Sequence, residues 1–286
     1  MKKTAFIGIV FGLFLTASSV LAAPPSFKPM ELATPGTSGT LVLPAPADNA
    51  PVLDVLPLGS ALDPGSGKVV EGYAFIHYDQ KTAKPGDKPG KGGGGSACYA
   101  YLANGAKWKS AESWLMNAAN TRGLNGTNLF NTQDGALAKW EDASDGTVGS
   151  GPGYDIFGSG SATSSALVAD TSSPDNQNEV YFANISNSGV IAVTIVWGIF
   201  AGPPQGRELV EWDQVYDDVD YNWSLTGESG KMDFDNIATH EDGHSAGMDH
   251  PDDSCINETM YRFADFGETK KRTLNTGDIA GVNALY

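Results

Sequence analysis

Residues 69–78 alternate in side-chain character, with Tyr73, Phe75 and His77 on one parity, and this period predicts a strand. Residues 190–197 are apolar on both parities: Val190, Ala192, Thr194 and Val196 on one, Ile191, Val193, Ile195 and Trp197 on the other. A strand with two apolar faces belongs in the middle of a sheet that is covered on both sides. Residues 166–170, 180–184 and 209–216 read as further strands. Residues 98–102 are strand-like, and 113–119 fit either a short strand or a helix. The period changes at residues 127–143. There Leu129, Phe130, Leu137 and Trp140 fall on roughly one face of a predicted helix, with Asn128 or Thr127 as its cap. Residues 234–246 form a second helix with Asp233 as N-cap, and 278–285 a third with Thr276 as its cap. Residues 144–165 and 217–230 read as loops. No internal repeat is present, and strands interspersed with a few helices in this order make an α+β chain.

Composition divides the chain. Its 35 glycines and 16 prolines are concentrated in particular stretches. In residues 23–67, Pro44, Pro46, Pro51, Pro57 and Pro64 recur without helical or strand period, which predicts a linker or short propeptide ahead of a packed domain at 68–286. Residues 81–96, with Pro85, Pro89 and the glycines at 92–95, predict a loop. At the start, Lys2 and Lys3, the apolar run 5–15 and the small-residue site at Val20, Leu21 and Ala22 predict a secretory signal over 1–22. The apolar run is too short to span a bilayer comfortably. No later segment is long and apolar enough to insert, so a secreted, extracellular monomer without membrane insertion is expected.

A net charge of −16 repels nucleic acid and anionic membrane surfaces, which sets both aside as partners. Cys98 and Cys255 are the two cysteines. In an exported chain such a pair predicts a disulfide, the alternative being two buried free thiols.

The chemistry is concentrated at residues 240–250: His240, Glu241, Asp242, Gly243, His244, Ser245, Ala246, Gly247, Met248, Asp249, His250. Residues four apart on a helix share a face, so His240 and His244 can aim at one point. Glu241 is placed to reach a water there without being a ligand. Gly247 lets the helix end in the left-handed backbone region that glycine tolerates. His250 then returns as a third ligand, leaving a fourth position open, as catalytic zinc sites do. Three of the four histidines occupy these positions. Gly243 should cost the helix about 1 kcal/mol relative to alanine, with no reason visible in the sequence.

The spacing His-Glu-x-x-His-x-x-Gly-x-x-His resembles the metzincin zinc peptidases, and within them the matrixins. Glu258, Thr259, Met260 and Tyr261 resemble the family's Met-turn, residues 278–286 its last helix, and 129–140 its first. The resemblance implies a metzincin-like catalytic domain. That domain has a twisted mixed sheet, an active-site helix, a Met-turn and a C-terminal helix. It also implies a zinc endopeptidase acting on protein or peptide substrates bound by strand addition at a sheet edge. Zinc would sit on His240, His244 and His250 with Glu241 as general base, Met260 as an apolar floor and Tyr261 as wall. Arg262 stands where matrixins usually have proline. His77 alone cannot make the structural zinc site many matrixins carry, so one zinc is expected. Cys98 lacks the surroundings of an inhibitory propeptide cysteine.

Asp213, Asp217, Asp218 and Asp220 cluster before the motif and offer calcium its preferred oxygen ligands, the alternative being a solvated acidic loop. Two other functions fit the same ligands: a non-catalytic zinc-dependent binding or adhesion module, and a zinc hydrolase of a non-peptide amide.

Overall fold

The computed structural model describes residues 40–41, 54–81, 97–146 and 153–286. The predicted signal over 1–22, most of 23–67 and nearly all of the 81–96 stretch lie outside the described residues. In chain order the elements are β1 (Thr40–Leu41), β2 (Val55–Leu62), β3 (Val69–Asp79), β4 (Ala100–Tyr101), β5 (Trp114–Asn117) and α1 (Gly126–Ala143). Then come β6 (Gly160–Ala162), β7 (Asn178–Ile185), β8 (Val190–Ile199), β9 (Glu208–Asp217), β10 (Trp223–Ser224), β11 (Met232–Asp233) and α2 (Phe234–Ser245). The chain closes with β12 (Met248–Asp249), β13 (Phe263–Ala264) and α3 (Thr276–Leu285).

The fold is α+β. Among the described residues the main sheet runs β13-β3-β8-β9-β7-β5-β6, with β2 also on β3 and β1 on β7. Strands β6, β5, β7 and β9 are mutually parallel, while β8 runs antiparallel to both β9 and β3. As its two apolar parities require, β8 is buried from Val190 to Gly198. One sheet face, with Phe75, Ile191, Val196, Trp212 and Tyr216, packs on the helices through Leu129, Trp140, Ile237 and Val282. The opposite face, with Tyr181, Val193, Ile195 and Trp197, shares a second core cluster with Leu56 and Val70 of β2 and β3 and with Leu167 and Ala169.

Local chemistry explains where elements differ from the expected ones. Asn125, one residue before α1, is its cap, because the side chain accepts from Asn128 N at 3.0 Å. Asn275 caps α3, with its own N–H donating to Asp278 at 2.8 Å. The stretch 113–119 resolves as strand β5, and the strand-like 98–102 pairs only at β4, against β12.

Residues 166–170 do not form the expected strand. Their amides are taken by side chains instead: Val168 N by Glu179, Ala169 N by Tyr181 and Asp170 N by Asp213. The opposite difference is β2, which falls inside the stretch expected to lack regular structure. Its partner among the described residues is β3 alone, so the missing N–H of Pro57 costs the ladder little. A register shift between Pro57 and Gly59, with Gly59 at φ 103°, breaks the period-two signal.

Candidate metal centre

Helix α2 begins where Asp233 accepts the Asn236 amide at 3.0 Å. Two tryptophans clamp it, Trp140 donating its indole N–H to Thr239 O at 2.7 Å and Trp108 to Ser245 O at 2.8 Å. The helix closes with Gly247 N donating to His244 O, and Gly247 adopts φ 98°, where a side chain would be strained. A Cβ there would also meet Ala106 O at 2.9 Å. The chain then reverses along β12, which β4 holds, and returns His250 to the helix.

The three imidazoles converge. His250 Nε2 lies 3.1 Å from His244 Nε2 and 3.3 Å from His240 Nε2. Tetrahedral zinc with nitrogen ligands at about 2.05 Å sets its ligands about 3.3 Å apart, so the donor set fits that ion. The Nδ1 atoms of His240 and His244 face backbone carbonyls, which leaves their Nε2 atoms for the metal. His240 Nδ1 is 2.7 Å from Thr259 O, His244 Nδ1 3.0 Å from Met248 O, and His250 Nδ1 3.3 Å from Asp54 Oδ2. Burial, with neighbouring positive charges, pushes His240 and His244 well below the ordinary histidine range and keeps them neutral, the form a metal needs.

Glu241 is fully buried, and both of its oxygens are engaged. Oε1 is 2.9 Å from His77 Nδ1, and Oε2 accepts the Thr194 hydroxyl at 2.6 Å. Burial pushes its carboxyl up to about 8, against the pull of Thr194 and Lys271. The His77 ring lies 3.9 Å from that of His240, tilted by 35°, and Phe75 lies flat on His244 at 4.1 Å. Among the described residues His77 Nε2 has no hydrogen-bond partner.

Met260 packs beneath α2 at Gly243. A Cβ on Gly243 would collide with Met260 Sδ and come within 2.6 Å of Trp140. This is the reason for a glycine in mid-helix. The half-buried Tyr261 sets its ring edge-on to Phe263 at 5.8 Å. Lys271 is wholly buried, with its ammonium donating to Thr259 O and Tyr261 O and 3.4 Å from His240 Nδ1. Arg262, in place of the proline, pairs with Asp54 at 3.0 Å and Asp253 at 2.8 Å.

The four aspartates named for calcium are not brought into one cluster. Asp213 precedes Asp217 by four strand positions, about 13 Å along β9. Asp217 accepts amides of Ile185, Val219 and Asp220, and Asp218 accepts that of Thr121. Asp213 instead accepts amides of Asp170 and Glu179 and lies in a different carboxylate group with Glu211. Cys98 and Cys255 form a disulfide, with Cα atoms 5.5 Å apart.

The three histidines singled out from the sequence come together, with Glu241 beside His240 and Met260 against Gly243. Sequence reasoning missed Asp54, Thr194 and Lys271, which reach the site from distant elements. For His77 a signal was present: it is the fourth histidine, on the same strand parity as Phe75. Among known families, the matrixin family of peptidases matches residues 173–286. Of the curated proteins, none matches the chain.

Proposed function

We propose that this matrixin-like zinc metallopeptidase is a secreted endopeptidase that hydrolyses proteins, with His240, His244 and His250 holding zinc and Glu241 as general base. The observation that carries the proposal is the convergence of three Nε2 atoms at 3.1 and 3.3 Å, with the Nδ1 atoms of His240 and His244 turned to backbone carbonyls. Zinc bound there would act as a Lewis acid towards a carbonyl and acidify a water. Glu241 takes the proton of the attacking water and returns it to the leaving amine. Its elevated proton affinity suits a base that works near neutral pH. Thr259 and Met248 fix the orientation of two imidazoles through their carbonyls. Export is supported by the Cys98–Cys255 disulfide, which persists in oxidising compartments. No helix of the described residues is long and apolar enough to cross a membrane.

Two substitutions test the assignment. Glu241→Ala is expected to keep zinc, measured by elemental analysis, and to lose nearly all cleavage of casein. His244→Ala is expected to lose the zinc. Full cleavage by the first variant, or full zinc occupancy in the second, sinks the corresponding role.

A further inference from the structure

We infer that Thr194 of β8 is the positioning residue for the base: its hydroxyl holds one oxygen of Glu241, so that the other is presented beside the imidazoles. The inference rests on the endopeptidase reading and adds the residue that aims its base.

A hydroxyl is out of place at this position. Ala192 and Val196, two positions to either side on the same parity of β8, are buried in the apolar cluster that packs on the helices. Thr194 between them is 0% exposed. Valine fits a central strand at least as well as threonine and buries no polar atom. A buried hydroxyl costs stability unless it is bonded. This one donates to Glu241 Oε2 at 2.6 Å, and the carboxyl it meets is itself fully buried.

The neighbouring strand carries a matching group. Thr194 is registered opposite Gln214 of β9. Residues so paired in an antiparallel ladder point to the same face and are close neighbours. Gln214, also fully buried, donates to Asp242 Oδ1 at 2.9 Å and to Ser245 Oγ at 3.0 Å. One cross-strand pair therefore grips two consecutive carboxyls of α2. Gln133 of α1 donates to Asp242 Oδ1 as well, at 2.6 Å. The bonds to Asp242 and Ser245 fix the roll of the helix. The bond from Thr194 fixes the reacting carboxyl.

The carboxylate of a glutamate turns readily about its last bond. With Oε2 tied to β8, Oε1 is left towards His77, 2.9 Å from its Nδ1. His77, His240 and Glu241 each bring a ligand atom within 4.8 Å of the other two. Oε1 is thus the oxygen in place to take a proton from a water beside the three Nε2 atoms. General-base catalysis contributes about 100- to 10,000-fold when the base is within reach of its proton. A base free to turn away forfeits part of that factor. Thr194 acts on the reaction through Glu241.

The test removes the hydroxyl and keeps the shape. Thr194→Val, Thr194→Ser and the parent are compared as full chains loaded with zinc, their metal content matched by elemental analysis. Two quantities are read. One is kcat and KM on a single peptide taken from casein. The other is the infrared band of the Glu241 carboxyl without substrate, assigned by its loss in Glu241→Gln. Thr194→Val should lower kcat about 10- to 100-fold with KM changed by less than about threefold. It should also shift the carboxyl band. Thr194→Ser, which keeps the donor, should leave the band in place and kcat within about threefold of the parent.

An unchanged kcat in Thr194→Val overturns the inference. So does a fall that Thr194→Ser shares equally, which would be a packing effect, or a fall with no shift of the band. If no form cleaves any peptide, the parent included, the endopeptidase reading fails. The band alone then decides the hold on Glu241: a shift in the valine variant and none in the serine variant supports it, and an unshifted band overturns it. Should Thr194→Val fail to fold by circular dichroism, Thr194→Ala is put through the same measurements with the same expected outcomes.

Discussion

A methyl group on Gly243 would have to displace Met260 Sδ and press on Trp140, both fully buried. Two effects compete at this residue. Alanine favours a helix by about 1 kcal/mol over glycine, while overpacking a tight core costs about 1–3 kcal/mol. The second should win, because neither neighbour is a flexible surface end. Gly243→Ala is therefore expected to lower stability in urea denaturation by about 1 kcal/mol or more and to disturb the Met260 floor. A variant more stable than the parent would show that Met260 can move aside. Lys271 is the other telling residue. Burial pulls its ammonium down to about 7 against the influence of Glu268, yet it holds the carbonyls of Thr259 and Tyr261 beside the metal centre. Nothing in its immediate sequence, between two other basic residues, separates it from a solvated charge.

At the scale of elements, the loop that replaces the expected 166–170 strand and the start of β9 bring carboxyls together. Burial, with Asp170 and Asp175 as the next causes, pushes Glu211 up to about 9 and Glu179 up to about 7. Each holds its proton in the fold at a pH where the unfolded chain has released it. The folded chain then binds more protons, and this contribution to stability falls as pH rises from about 4.5 towards 9. The buried histidines, held neutral, run the other way below about 6.5, so the informative quantity is a difference between proteins. Glu211→Gln should gain in melting temperature on the parent as pH is raised from 5 to 8. A constant gap across that range would remove Glu211 from the account. The disulfide joins the segment just before β4 to the segment that leads to Met260. Replacing both cysteines with serine should cost about 2–4 kcal/mol of unfolding free energy and lower the urea midpoint. An unchanged midpoint would mean that the hydrogen bonds of Glu258 and Asp278 hold that corner alone.

For the whole molecule, the hydrophobic period carried a long way. Helices α1, α2 and α3 and strands β3, β7, β8 and β9 lie within a few residues of their expected positions, because each buries a face whose period survives in sequence. The short or irregular pieces were illegible. Strand β2 carries Pro57 and a register shift. Residues 166–170 have strand-like composition but surrender their amides to side chains. The stretch 23–67, expected to be a linker or short propeptide, contains the regular strand β2. That strand was unreadable because it is stabilised by β3 and by the second core cluster, not by its own pattern.

The sequence by itself marked the three candidate ligands, the candidate base and the glycine at which the chain turns back to His250. Those residues act within eleven consecutive positions, and helix geometry converts their spacing into convergence. Only the tertiary structure decided what stands over them. Strand order is set by long-range pairing, so nothing local to residues 69–79 says that β3 lies against β8 and carries Phe75 and His77 onto the metal centre. The same holds for Asp54, which faces His250 because Arg262, 208 positions away, receives it.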